Sequence, residues 1–394
     1  MSPFEAIDAW VAEHELQLVA WRRDMHQHPE LSRVENRTTD LVVAELESFG
    51  LKPVRMPLGT GVLCDVGPDG DRIGLRADMD ALPIPEHTGL PFASTVDGVS
   101  HACGHDAHTA ILLGVAKFLA TVKDLPVGVR LIFQPAEEVM SGALDAVAAG
   151  ATEGLSSVYA LHCDPKLEVG RVGLRKGAIT SAADVVDLSL RSPGGHTSRP
   201  HLTGDLVYAM GAVITGLPGI LSRRIDPSTS TVMVWGAAHA GEAFNVIPQQ
   251  GRLQGTVRTG DHDIWALLEP TVRHIIGGIL APLGIEYDLT YKRGVPPVVN
   301  DPDCYERLHD AVASIGPHAV ADTPQSGGGE DFSWYLEDVP GVMGRLGVWS
   351  GSGDHYDIHQ PNFVLDERAL AVGVKTFLRV VAGTGADVTG IAYP

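Results

Sequence analysis

Apolar and polar positions alternate along the chain in two different textures. From about residue 15 to 50 apolar residues recur at helical spacing, and the run closes at Phe49-Gly50, where glycine can cap a helix end. Short apolar runs then alternate with helical ones. Residues 62–66, 73–75, 129–133 and 158–161 read as strands, while 109–122 and 141–149 read as helices. This alternation predicts an α/β layered domain with a largely parallel sheet.

Near residue 182 the texture changes. The segment DVVDLSLRS alternates as a strand and is followed by the glycine-rich GGHTSRPH and a helix over about 204–217. Two more strand-like segments, STVMVWGAA and GRLQGTVRT, precede a helix over about 263–279 and the strand IEYDLTYKRG. The order β-α-β-β-α-β is the ferredoxin-like arrangement. The expected organisation is therefore a discontinuous catalytic α/β domain, 1–181 and 294–394, with an inserted α+β lid domain over 182–293.

Composition fits two domains. A chain of 394 residues exceeds what one core usually serves, at roughly 100–200 residues per domain. Apolar residues at 44% against 20% charged can bury large cores, which excludes a disordered chain. The net charge of −20 repels nucleic-acid backbone and anionic membrane surface, and no Lys/Arg run offsets it. Four scattered cysteines without a CxxC pair exclude a disulfide framework. The acidic, amphipathic start lacks the marks of a secretory signal. The runs AILLGVAKFLA and IIGGILAPLGI, interrupted by Lys117 and Pro282, are too short to cross a bilayer. A cytoplasmic protein is expected.

The chemistry clusters at strand ends. Strand 73–75 runs into Arg76-Ala77-Asp78-Met79-Asp80, and HACGHDAHT opens the buried helix. Strand 129–133 ends in Gln134-Pro135-Ala136-Glu137-Glu138, and strand 158–161 ends in His162-Cys163-Asp164. Ligands of open α/β sheets bind outside the carboxyl ends of the strands, so these segments converge on one crevice. Cys103, His105, His162 and Glu138 are donors that zinc accepts. A helix amino terminus would favour the Cys103 thiolate. Beside Glu138, Glu137 is placed to take a proton from a water that the metal activates. Singly these signals are weak. A lone histidine after a strand is usually a satisfied polar residue, and an EE pair is usually a solvated helix start. Their joint placement carries the argument.

RRDMHQHPELS, LRADMDALPIPEHTGLPF, HACGHDAHT, FQPAEE, GGHTSRPH, AFNVIPQQGRLQGTVRT, GGGEDFSWY and HQPNF, in that order, resemble the metallopeptidase family of aminoacylases, dipeptidases and glutamate-type carboxypeptidases. Within it the chain is most similar to the amidohydrolase branch of hippurate hydrolases, aminoacylases and indole-acetyl-amino-acid hydrolases. The resemblance covers nearly the whole length and implies a metal-binding domain with a smaller lid. It implies two divalent ions, with Zn²⁺ or Mn²⁺ expected and Co²⁺ or Ni²⁺ also suited. Cys103 would bridge them, and His105, Glu138, His162 and His359 would complete the set, with His355 the fallback for His359. Glu137 matches the general base, and Asp78 matches an acid that orients ligands. Asp80 and His108 are read as local structure.

In the lid, His196 matches a histidine that polarises the scissile carbonyl, with His201 a weaker candidate. Asn245 and Arg258 match substrate-contacting positions, Arg258 as a fork for the amino-acid carboxylate. Ser326 to Glu330 forms either a backbone cradle or a plain glycine loop. Where the wider family often has histidine this chain has Arg76, so no ligand is expected there. The implied activity is hydrolysis of N-acyl amino acids to a carboxylic acid and an amino acid, with a small-molecule substrate and a homodimer through the lid. The alternatives are a carboxypeptidase or dipeptidase of the same family, and a non-catalytic zinc-binding protein on this scaffold. No GxSxG elbow supports a serine hydrolase.

Overall fold

The computed structural model describes residues 2–383, so residue 1 and residues 384–394 of the expected catalytic domain lie outside the described residues. The chain forms two compact units. One comprises the chain up to Gly177, Asn300–Pro324 and the chain from Asp331. The other comprises Ala178–Val299 and Gln325–Glu330. The smaller unit thus starts and ends a few residues outside 182–293 and takes in the glycine loop as well.

The larger unit is built on an eight-stranded sheet. Its order is Val54–Arg55, Val62–Val66, Gly128–Gln134, Arg72–Asp78, Leu155–Glu168, Gly341–Trp349, Val172–Leu174 and Val320–Asp322. The four central strands, from Gly128–Gln134 to Gly341–Trp349, are parallel. Their near-continuous burial is what a sheet covered on both faces requires. The register Asp78↔Gln134 and Arg76↔Ala160 brings the ends of three strands to one level, with His162 beside Asp78. Strand Leu155–Glu168 is much longer than the four apolar residues of the sequence reading, so His162 lies within it rather than after it.

Helices Pro3–Gln27, His105–Leu119 and Arg368–Ala382 pack on one another and bury Leu18, Met25, Ile111, Leu112, Val374 and Phe377. Each such side chain contributes about 1.5–3 kcal/mol relative to exposure. The helical pattern expected over 15–50 is two helices, Pro3–Gln27 and Asn36–Ser48. His28-Pro29 separates them, since proline lacks the N–H that a continuing helix needs. The second helix is capped from outside: Glu30 accepts from the N–H groups of Arg37 and Thr38, at 2.9 and 2.8 Å.

The smaller unit carries an antiparallel four-stranded sheet ordered Val232–Ala240, Gln250–Thr259, Ala182–Arg191, Glu286–Lys292. In chain order that is 2-3-1-4, the ferredoxin-like topology. Helices Leu206–Arg224 and His262–Leu280 each bury one apolar stripe, including Val213, Leu217, Leu268 and Ile276. Both are long and apolar enough by length and composition to cross a membrane, the second counted to Leu283. The run IIGGILAPLGI forms only the last part of this second helix, which begins at His262.

Candidate metal centre

A left-handed residue sets up the first ligands. Gly104 (φ +88°) caps helix His105–Leu119, and a Cβ there would lie 2.9 Å from the Cys163 sulfur. The turn lets Cys103 and His105 face the same space. His359, at φ +63°, joins them: its N–H donates to the carbonyl of Ala102 at 2.8 Å. A non-glycine residue held at such a φ costs about 1–3 kcal/mol and marks a conformation imposed by its surroundings.

Among the donor groups that overlap here, two share a thiol. Cys103, His105 and His162 form one, and Cys103, Glu138 and His359 form the other, each with ligand atoms within 4.8 Å of one another. Cys103 belongs to both. The Cys103 sulfur lies 3.5 Å from His162 Nε2, and Glu138 Oε1 lies 3.5 Å from His359 Nε2 and 3.8 Å from His105 Nε2. Glu137 Oε2 is 3.9 Å from His105 Nε2.

Hydrogen bonds to the far ring nitrogens decide which imidazoles face inward. His105 Nδ1 is 3.3 Å from Asp80 Oδ1, and His162 Nδ1 is 2.8 Å from the carbonyl of Cys163, which leaves both Nε2 atoms toward the cluster. His108 is different. Its Nε2 accepts from the N–H of Cys163 at 2.9 Å and its Nδ1 donates to Asp78 at 2.5 Å, so both nitrogens are spent. Of the two histidines in the last stretch, His355 has its Nε2 2.5 Å from the carbonyl oxygen of Pro165, whereas His359 falls into a donor group with Cys103 and Glu138.

The electrostatics fit a divalent cation. Among the described residues, His105 Nε2 and Glu138 Oε1 are buried without a hydrogen-bond partner, a costly state unless another group satisfies them. Burial works to lower His105, yet Asp78, the Asp80 hydrogen bond and Glu138 raise it to about 10. Burial, with Arg345 and His108, holds His162 well below its usual range, so it is a neutral donor. Burial and the charges of Glu138, Glu137 and Asp78 push the Cys103 thiol well up. The help expected from the helix amino terminus is outweighed, and a bound cation is what would deprotonate this thiol. Thiolate, imidazole and carboxylate donors suit a divalent metal of intermediate softness.

Asp78 sits behind this cluster. Arg76 donates to its Oδ2 at 2.5 Å while His108 donates to Oδ1; against its burial, the Arg76 charge with His105 and His108 keeps it well below the carboxylate range. Arg76 also donates to Gln134 and Asp331, at 2.9 and 3.0 Å.

Asp80 does more than the local structure assigned to it. Its Oδ1 accepts from the N–H of Glu137 and its Oδ2 from that of Glu138, at 3.1 and 3.0 Å, in addition to its contact with His105. It thus fixes the backbone of both glutamates and the ring of a donor. Backbone capture across 57 and 58 residues leaves no spacing signal by which sequence could have found it.

The remaining expected residues lie in the smaller unit. His196 pairs with Val246, next to Asn245, and the N–H of Thr197 donates to the carbonyl of Asn245 at 3.2 Å. The N–H of Ser198 can only donate, and it lies 3.1 Å from His196 Nδ1, so the neutral ring carries its proton on the exposed Nε2. His201 is exposed on the short 3₁₀ turn Pro200–Leu202. Arg258 donates to the carbonyl of Gly327 in the Ser326–Glu330 loop, so one arm of its fork is engaged by the chain itself.

A model of the peptidase family M20/M25/M40 matches residues 74–383. The chain is 38% identical over 365 residues to an N-acetylcysteine deacetylase of Bacillus subtilis, covering 92% of this chain and 95% of that protein. It is 39% identical over 300 residues to an N-acyl-L-amino acid amidohydrolase of Geobacillus stearothermophilus, covering 75% and 81%. The crystal structure of a dinuclear metal-binding M20 peptidase from Bacillus subtilis superposes with a TM-score of 0.82 at 34% identity, covering 95% of this chain and 99% of the other. A Rhodococcus jostii protein named for a glutamate–cysteine ligase is 55% identical over 375 residues, but the chain spans only 47% of its length.

Proposed function

The chain belongs to the peptidase family M20/M25/M40 and is a metal-dependent amidohydrolase, and we propose that it cleaves N-acyl amino acids at a centre that would hold two divalent ions, with Cys103 among the residues holding each. The single observation that carries this reading is that Cys103 belongs to two donor groups in which His105 Nε2 and Glu138 Oε1 are buried without a hydrogen-bond partner among the described residues. Cys103, His105 and His162 would hold one ion, and Cys103, Glu138 and His359 the other. When bound, such ions polarise the amide carbonyl and bring the pKa of a water toward neutrality.

The side chains do the rest. Glu137 takes the proton of the attacking water and delivers it to the leaving nitrogen. Asp80 holds the glutamate pair in place through its two backbone N–H groups. His196, with its proton on Nε2, is suited to donate to the developing oxyanion, and Asn245 beside it and Arg258 are assigned to substrate binding.

Zn²⁺ and Mn²⁺ are the proposed metals. Since a similar relative is named for N-acetylcysteine, that compound is the first substrate proposed. We further assign the chain to the cytoplasm, supported by four buried, unpaired cysteines. A homodimer through the smaller unit is supported by Val207, Tyr208, Val232 and Val234, which are apolar yet exposed there; light scattering coupled to size exclusion tests it. For the reaction itself, chelated protein is reloaded with Zn²⁺ or Mn²⁺ and amino-acid release is followed from N-acetylcysteine, hippurate and free dipeptides. Release from the acylated compounds is expected. Release from dipeptides alone would overturn the assignment in favour of a peptidase.

A further inference from the structure

Three consecutive N–H groups, those of Ala136, Glu137 and Glu138, are taken by just two buried carboxylates. Asp80 holds the second and third. The first donates to Glu35 Oε1 at 2.8 Å, from a residue 101 positions away, and the same oxygen accepts from the N–H of Arg33 at 3.0 Å. Glu35 stands at the start of helix Asn36–Ser48 but makes no capping bond with its side chain; Glu30 does that work. An acid at a helix start ordinarily serves its own helix. This one is fully buried and reaches across to another element.

What it holds there is a strained turn. Ala136 has φ +56° and Met140 has φ +57°, two left-handed non-glycine residues that bracket the glutamate pair. The N–H of Met140 donates to the carbonyl of Glu137 at 2.7 Å and that of Gly142 to Ala136 at 3.1 Å, while a Cβ on Gly142 would overlap the carbonyl oxygen of Pro135. A left-handed alanine turns its N–H toward Glu35, and this rotation sets the direction in which the next side chain, Glu137, leaves the backbone. Without Glu35 the segment loses one of its three N–H anchors, Asp80 alone holds the glutamate pair, and the turn that leads into Glu137 is free to shift its proton-transferring oxygens.

We propose that Glu35 is a positioning residue for the reaction: it holds Ala136 left-handed and thereby aims Glu137. This rests on the reading of Glu137 as the general base. Glu35 touches no donor of the metal cluster, so its loss acts on alignment and leaves metal uptake alone.

The test uses the full chain with metal content measured by elemental analysis. Glu35→Ala is expected to lower kcat by roughly 10²-fold, the effect of an ångström-scale misplacement, with KM and metal content unchanged. Glu35→Gln keeps the accepting oxygen and recovers kcat. In Glu35→Ala/Ala136→Gly, glycine adopts the left-handed conformation unaided and also recovers it. Should Glu35→Ala not fold, Glu35→Asp decides. It is one methylene too short to reach Ala136 while Glu30 still caps the helix, so its thermal stability holds and its kcat falls.

Amide exchange of the 135–142 segment in chelated protein, faster in Glu35→Ala and Glu35→Asp but not in Glu35→Gln, reads the clamp without any turnover. Wild-type kcat in Glu35→Ala or Glu35→Asp overturns the proposal, as does a loss that neither Gln nor the glycine double variant rescues. Glu137→Gln, assayed alongside, separates the two ideas. If it turns over normally, the base assignment fails; if it is inactive while Glu35→Ala is normal, the clamp alone fails.

Discussion

Asp78 and Glu138 are acids that each lie 3.8 Å from the same atom, His105 Nε2, and their surroundings differ in one respect. Both oxygens of Asp78 are taken, by Arg76 and His108, and Arg76 in turn is bound to Gln134 and Asp331. Asp331 is closed as well, by Gln134 Nε2 and the N–H of Ala143. Around Glu138 no guanidinium closes the site: Oε1 and the facing His105 Nε2 have no hydrogen-bond partner among the described residues. A closed cluster stabilises through its own ion pairs. An open cluster of the same residue types leaves buried polar atoms unsatisfied, a cost that a bound cation relieves. The distinction between a structural and a functional acid lies in that balance.

The largest effects fall on the open side. Glu137→Gln should lose about 10²–10⁴-fold in turnover while keeping its metal, as judged by elemental analysis of the purified variant. On the closed side, Arg76→Met leaves Asp78 and Asp331 buried without their cation. It should destabilise the protein by about 3–5 kcal/mol in chemical denaturation. Glu138→Gln acts differently. In chelated protein it leaves every closed ion pair intact and should change stability by less than about 1 kcal/mol, at the cost of metal affinity. If both variants destabilised the chelated protein alike, the contrast between the clusters would be lost.

The smallest effect comes from a third group of acids, next to Asp106. His26 lies 2.8 Å from Asp106 and 3.2 Å from Glu86. Burial pushes Glu86 up, but hydrogen bonds from His26, Thr88 and the N–H of Ser94 outweigh it and hold the acid at about 2, below its ordinary 4.5. A depressed folded-state pKa contributes stability that is present above pH 4.5 and lost as pH falls toward 2. The stability gap between wild type and Glu86→Gln should therefore be full at neutral pH and close over that window. A gap that widened with acid would mean that Glu86 is not held by His26.

Sequence carried the layered fold and the set of donors further than it carried their geometry. The β-α-β-β-α-β order and the strand-end clusters were legible because periodicity and residue type are local properties. His359 could be told from His355 only through the family resemblance, since both stand in one loop. What separates them physically is a hydrogen bond from His355 to Pro165, some 190 positions away. His108 was read as structure, and its two committed nitrogens agree with that. Asp80 received the same reading and does not deserve it. Its role depends on which backbone amides the sheet register delivers to it, as does that of Glu35, which no spacing singled out. Donors announce themselves by residue type, whereas the groups that aim them do so only by contact.

The most direct test of the open cluster is a titration of Co²⁺ into chelated wild type and Cys103→Ser, following the thiolate-to-cobalt charge-transfer band and cysteine release from N-acetylcysteine in the same samples. The band and the activity should rise together in the wild type, reach their plateau at two ions per chain, and both be lost in Cys103→Ser. Activity that returned without the band, or to the same level in Cys103→Ser, would contradict the account.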